Sequence, residues 1–198
     1  MTRLKSALRR ALLVASGSLL LTVFAAKADI TVIFLRHGEK PKISTGQLTC
    51  KGFNRALALP SVLLPRFGMP DAIYASAPKE NKTGSSLRPL TTILPTAIRA
   101  ERPVILKYHA TKTDGLVGDL LSASGQNKRV FVSWEHKNLV VAAKALVKRT
   151  GGDPEQIPQW KGDDFDSLYV IRLSDEGKFV SFKKESEGLN DVSDRCQN

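Results

Sequence analysis

The sequence predicts an α/β protein, a three-layer sandwich with a mainly parallel central sheet and an antiparallel hairpin at one edge. Three observations predict it. Short β-branched or aromatic runs alternate with longer segments whose apolar residues recur at helical spacing, the order that builds a parallel sheet covered by helices. The first run, Ile30–Leu35, is β-branched or apolar throughout, with Thr31 its one hydroxyl residue, as suits a strand covered on both faces. The last two runs, "FDSLYVIRL" and "KFVSFKKE", alternate apolar with polar and are separated only by "SDEG", the pattern of an antiparallel hairpin.

The elements follow in order. After the first strand, Thr49 is a candidate N-cap for a helix carrying Phe53, Ala56, Leu57, Leu59, Leu63 and Leu64 on its apolar side. Pro60 predicts a kink or break in that helix. Asp71–Ser76 reads as a second strand, and "PKENKTGSS" as a polar loop. Arg88–Ala100 reads as a helix with Pro89 in its first turn, where proline is tolerated, and Pro95 predicts a distortion. Pro103–Tyr108 is a third strand, Leu116–Ala123 a helix, Arg129–Trp134 a fourth strand, and Asn138–Arg149 a helix ending at Gly151-Gly152. The chain of 198 residues thus reads as one domain, residues 29–198, behind a leader.

That leader is residues 1–28. Arg3, Lys5, Arg9 and Arg10 precede the apolar run Ala11–Ala26, and Ala26-Lys27-Ala28 has the small-x-small form of a cleavage site. Basic, apolar and cleavage regions in this order predict a signal peptide cut after Ala28. The apolar run is short for a bilayer span, and strand-like sequence begins at Ile30, leaving almost no linker for an uncleaved anchor. The expected destination is the periplasm or the exterior, with no stable membrane insertion after cleavage.

The leader also inflates the charge. Without its five basic residues, 25 remain against 19 acids, so the net charge falls from +11 to +6. A moderately positive field suits a small anionic substrate, although a solvated basic face accounts for it equally well. No dense basic run or nucleic-acid motif is present, so nucleic acid is not an expected partner. The two cysteines, Cys50 and Cys196, could pair in an oxidising compartment or remain two thiols. Neither has metal-ligand spacing with its neighbours, and no metal or other cofactor is expected.

Candidate chemistry lies where strands end. Arg36, His37 and Gly38 leave the first strand, Arg88 heads a helix after the second, and Glu135 and His136 follow the fourth. In parallel sheets, ligands sit beyond the carboxyl ends of the strands. Guanidinium groups match phosphate oxygens bidentately, a neutral imidazole is a competent nucleophile, and a glycine lets the backbone approach a phosphate. Taken singly, each has an ordinary explanation: a capped turn, a structural histidine, a surface charge. Their joint placement at one end of the sheet points to phosphoryl chemistry.

These residues also carry a resemblance. "LRHGE" resembles the opening motif of the histidine phosphatase superfamily, which has the phosphoglycerate mutase-like fold. "LTCKGFNRALAL" is similar to its first-helix segment, "DAIYASAPKENKTGSSLRPLTTILPTA" to its second strand, loop and arginine-bearing helix, and "VFVSWEHKNL" to the strand before its second catalytic histidine. The resemblance spans about Ile30 to Leu173. It implies that His37 attacks phosphorus, that Arg36 and Arg88 bind the phosphoryl group, and that His136 stabilises it during transfer. The implied activity is metal-independent phosphomonoester hydrolysis through a phosphohistidine. The alternatives are a non-catalytic anion-binding module and a phosphotransferase or mutase.

The chain departs from the superfamily at the proton donor. Lys137, not aspartate, follows His136, and the region after the third strand reads "LKYHATKTDGL". In that region Asp114 and His109 are available without a clean match; Glu135 and Asp114 are the candidate acids, and an unassigned or absent acid is the third possibility. The segments Lys79–Ser86 and Tyr108–Gly118 are expected to face the substrate. Neither the substrate's identity nor an oligomeric state is specified by these motifs.

Overall fold

The computed structural model describes residues 30–43, 45–79, 86–122 and 128–196. The leader, residues 1–28, and the loop residues 80–85 lie outside the described residues. The elements run β1 (Ile30–Arg36), α1 (Cys50–Phe67), β2 (Ala72–Ala75), α2 (Arg88–Arg99), β3 (Val104–Ile105), α3 (Thr113–Ser122), β4 (Lys128–Trp134), α4 (His136–Arg149), a 3₁₀ turn at Pro154–Gln156, β5 (Ser167–Leu173) and β6 (Phe179–Ser186).

The six strands form one sheet in the order β3-β2-β4-β1-β5-β6. The first four are parallel, β5 runs antiparallel to β1, and β6 antiparallel to β5. Side chains alternate across β1 with the two-residue period of a strand. Ile30, Val32 and Phe34 join Leu116, Leu139 and Leu146 of α3 and α4. Ile33 and Leu35 join Leu59, Leu63 and Ile93 of α1 and α2 on the other face. The result is the predicted sandwich, helices on both faces of a mainly parallel sheet with an antiparallel edge. Each fully buried aliphatic side chain contributes about 1.5–3 kcal/mol, which explains why β1, central in the sheet, is apolar on both faces.

Several local expectations need correction. Thr49 caps α1, accepting from Gly52 N at 3.2 Å, but the helix runs unbroken through Pro60 and Pro65. Each proline removes one backbone donor, yet Pro60 is buried beside Leu59 and Leu63, so packing holds the helix together. Phe53 and Leu57, assigned to the apolar side, are exposed, whereas Asn54 and Arg55 are buried. The third strand shrinks to two residues, and α4 begins at His136 rather than Asn138.

Asn54 and Arg55 turn inward because their partners come from the far end of the chain. Asn54 Nδ2 donates to Ser193 O and Arg195 O, both at 2.8 Å. The same segment is covalently tied, since Cys196 is disulfide-bonded to Cys50 with Cα atoms 4.8 Å apart. Arg55, 0% exposed, pairs with Glu39 at 2.8 Å, Asp166 at 3.0 Å and Glu187 at 2.8 Å. Burial, working against the pull of Arg55 and helped by the neighbouring Asp166 and Glu39, pushes the Glu187 carboxyl up to about 8. This cluster anchors Glu39, two residues beyond His37, so the turn after β1 is fixed by α1 and the C-terminal segment together.

Candidate active site

Parallel register brings the exits of β1 and β4 side by side. Arg36 lies opposite Trp134, and His37 N donates to Trp134 O at 3.1 Å. On the other side of β4, Ser76 N donates to Ser133 O at 3.2 Å. Beyond these exits lies a cavity of about 410 Å³ whose lining includes His37, Lys79, Arg88, His109 and Glu135. Both loop segments expected to face the substrate reach it, the first through Lys79 and Ser86, the second through His109, Ala110 and Thr111. Asp114, in the first turn of α3, is not on the lining.

His37 is 4% exposed, and its Nδ1 lies 2.8 Å from Gly38 O. A carbonyl can only accept, so Nδ1 carries the hydrogen and Nε2 keeps its lone pair. Burial drives the imidazole pKa down to about 4; the Gly38 bond opposes this, and the charges of Arg36 and Arg88 add to the fall. The ring is therefore neutral near pH 7.

Arg88 is set relative to His37 by one hydroxyl. Thr92 Oγ1 accepts from Gly38 N at 2.9 Å and donates to Arg88 O at 2.8 Å. Ser133 Oγ donates to Pro89 O at 2.8 Å, tying the head of α2 to β4. Arg88 Nε donates to Gln47 O at 3.0 Å, and burial lowers the guanidinium pKa.

Gly38 has a different reason to be glycine from the one expected. It is not on the cavity lining, and its N–H is given to Thr92. A Cβ at Gly38 would meet Gly52 O at 2.8 Å and Gly52 Cα at 3.0 Å. The backbone of α1 approaches it, and the space a side chain needs is already filled.

Arg36 and His136 stand beside the cavity rather than on its lining. Arg36 is 1% exposed. Its Nη1 donates to Gly162 O at 2.9 Å, Asp164 O at 2.8 Å and Lys161 O at 3.4 Å, and its guanidinium carbon stacks 3.8 Å from the Phe165 ring centre. Nε is buried with no hydrogen-bond partner. Burial lowers its pKa while Glu135 and Asp164 pull it up. His136 opens α4. Its pKa is lowered by burial first and by Arg36 second, with Glu135 acting the other way. These mutual influences place Arg36, His37, Glu135 and His136 in one electrostatic neighbourhood.

Glu135 is the N-cap of α4. Its carboxylate accepts from Lys137 N at 3.2 Å, Asn138 N at 3.0 Å and Asn138 Nδ2 at 2.9 Å. Oε1 also lies 2.8 Å from His136 Nδ1, a close charge contact whose angle makes no hydrogen bond, since Nδ1 remains without a hydrogen-bond partner. Burial would raise the carboxyl pKa, but the bonds from Asn138 and Lys137 and the charge of His136 outweigh it and lower the pKa. A cap that stabilises the anion weighs against service as a proton donor. Serine, threonine, aspartate and asparagine are the usual caps, so a glutamate before "HKN" gave no sign of this role.

Sequence reasoning did not single out the cradle of Arg36, built by residues 161–165. Its carbonyls and the Phe165 ring lie more than 120 positions downstream in a loop of ordinary composition. Among the described residues, no three His, Cys, Asp or Glu side chains are grouped to hold a metal, and no helix is long and apolar enough to cross a membrane.

No protein-family model matches the sequence, and no curated protein is similar to it at a significant level. Solved structures are similar in fold. A mycobacterial glucosyl-3-phosphoglycerate phosphatase superposes with a TM-score of 0.55 at 14% identity, over 80% of this chain and 98% of that one. A point mutant of phosphoserine phosphatase from Entamoeba histolytica, solved with phosphoserine, gives 0.55 at 15% identity, over 81% and 99%. Phosphoglycerate mutase from Plasmodium falciparum gives 0.52 at 12% identity, over 82% and 92%. At such identities the likeness is one of architecture, and on that ground the chain has the phosphoglycerate mutase-like fold.

Proposed function

We propose that this chain is an exported phosphatase that hydrolyses a phosphomonoester through a phosphohistidine on His37, without a metal. The observation that carries the reading is the state of His37. It is buried and neutral, with Nδ1–H held by Gly38 O, and it shares a cavity with Arg88. The lone pair on Nε2 attacks phosphorus and displaces the alcohol oxygen, and water then attacks the phosphohistidine and releases phosphate. Arg88 binds the phosphoryl oxygens from the head of α2. Arg36 holds positive charge beneath them, and its unpartnered Nε is a donor that a phosphoryl oxygen would satisfy. His136 stabilises the transferring group, and Glu135 fixes His136 at the start of α4. Cationic side chains supply the charge that a metal would otherwise provide. The likeness in fold to phosphatases with phosphorylated substrates supports the same reading, and the leader-like residues 1–28 support export.

The test compares the wild-type protein with His37→Ala. Turnover of an aryl phosphate, and capture of phosphate on the protein in a rapid acid-free quench, are expected in the first and absent from the second. Activity should persist in EDTA. An active His37→Ala protein with unchanged kinetics would sink the proposal. Terminal sequencing of the protein from the periplasmic or culture fraction should begin at Asp29; recovery of the intact chain from the cytoplasm alone would remove export.

A further inference from the structure

The displaced alcohol oxygen needs a proton, and Glu135, capped and held ionised, is poorly placed to provide it. The cavity is lined by a second imidazole, that of His109. We infer that His109 is the general acid that protonates the leaving oxygen, an assignment that rests on the phosphatase reading above.

The topology brings His109 to the nucleophile's cavity from another strand. It follows β3, the strand three steps from β1 in the sheet order, a width of roughly 14 Å at ordinary strand spacing. Both imidazoles line the same cavity of about 410 Å³, which has the volume for a phosphoryl group and its ester oxygen. The backbone around His109 is well fixed. His109 forms a parallel bridge with Ala77, Ala77 N donates to Tyr108 O at 2.7 Å, and Lys112 N donates to His109 O at 2.8 Å. Trp134 Nε1 donates to Ala110 O at 2.8 Å, tying the next residue to β4. The side chain is oriented too, since Nδ1 lies 3.3 Å from Ala77 O. With Nδ1–H given to that carbonyl, Nε2 is the nitrogen left to face the substrate. Among side chains, imidazole is the type that both holds and releases a proton near neutrality.

The steps balance. His37 Nε2 forms the N–P bond as the P–O bond to the alcohol breaks, and the departing electron pair takes the proton from His109 Nε2. Neutral His109 then accepts a proton from the attacking water as the N–P bond breaks. Alcohol and phosphate leave, and His109 is again protonated.

The experiment measures kcat/KM for ring-substituted phenyl phosphates of similar size but graded leaving-group acidity, in wild type, His109→Gln and His109→Ala. His109 is exposed, so folding is not at stake, and thermal melts will verify it. Wild type should depend weakly on leaving-group acidity. Both variants should lose on the order of 100-fold or more with the least acidic phenol and less than about 5-fold with nitrophenol. Equal loss across the series makes His109 a binding or positioning residue, and unchanged rates make it a spectator; either overturns the assignment, as does a wild type already as steep as the variants. All three leave the phosphatase reading standing. No turnover of any ester by wild type, with no phosphate on His37, removes both.

Discussion

In a His37→Gln protein, the pH dependence of stability should flatten, and the amount follows from the burial of one imidazole. An unfolded histidine titrates near 6.5, whereas buried His37 titrates at about 4. Between those values the unfolded chain binds the extra proton and the folded protein does not, so stability rises with pH across the window. The contribution is fully present above the unfolded value and is lost as pH falls through the window towards the folded one. Integrated from about pH 7.5 down to about pH 5, wild type should lose about 2 kcal/mol more than His37→Gln. The carboxylates titrate in both proteins and cancel in the difference. Urea denaturation at a series of pH values, both proteins side by side, measures it. Parallel curves would mean that His37 is not held neutral in the fold, and the argument for a ready nucleophile at Nε2 would fail with it. The same shift predicts that phosphorylation of His37 by an aryl phosphate continues well below pH 6.5, which a single-turnover pH series would check.

Three further predictions concern what holds the site. Arg55→Met strands Glu39, Asp166 and Glu187 without their common cation and should cost about 3–5 kcal/mol in chemical denaturation; a loss under about 1 kcal/mol would show that the cluster is not what anchors the turn after β1. Gly38→Ala drives a methyl against Gly52 O and Cα, backbone atoms that cannot swing aside. It should destabilise by about 1–3 kcal/mol and lower kcat by displacing His37; a stable, fully active variant would refute the crowding. Cys50→Ser opens a loop with a sequence separation of 146, worth about 5 kcal/mol in the chain-entropy account and about 2–5 kcal/mol in practice. Wild type in reductant should fall to the variant's stability, and a wild type indifferent to reductant would show that the bridge is absent in solution.

The amino-acid order by itself determined the layers. Short β-branched runs bounded by turn residues encode the strands and the last two runs encode an antiparallel hairpin, each signal complete within a few residues, although β5 lies inside the sheet and is buried on both faces. The same locality made Arg36, His37 and Arg88 legible, since each stands at the end or the head of an element whose limits are locally encoded. Tertiary structure decided what depends on distant partners. Arg55 reads as surface charge on α1 until Glu187, 132 positions later, folds against it. Glu135 reads as a candidate acid until α4 starts one residue after it and claims its carboxylate. His109 reads only as an available residue in the segment after the third strand until the fold brings it onto the same cavity as His37. Local periodicity records which face of an element is apolar; it holds no record of which charge will be waiting there when the chain closes on itself.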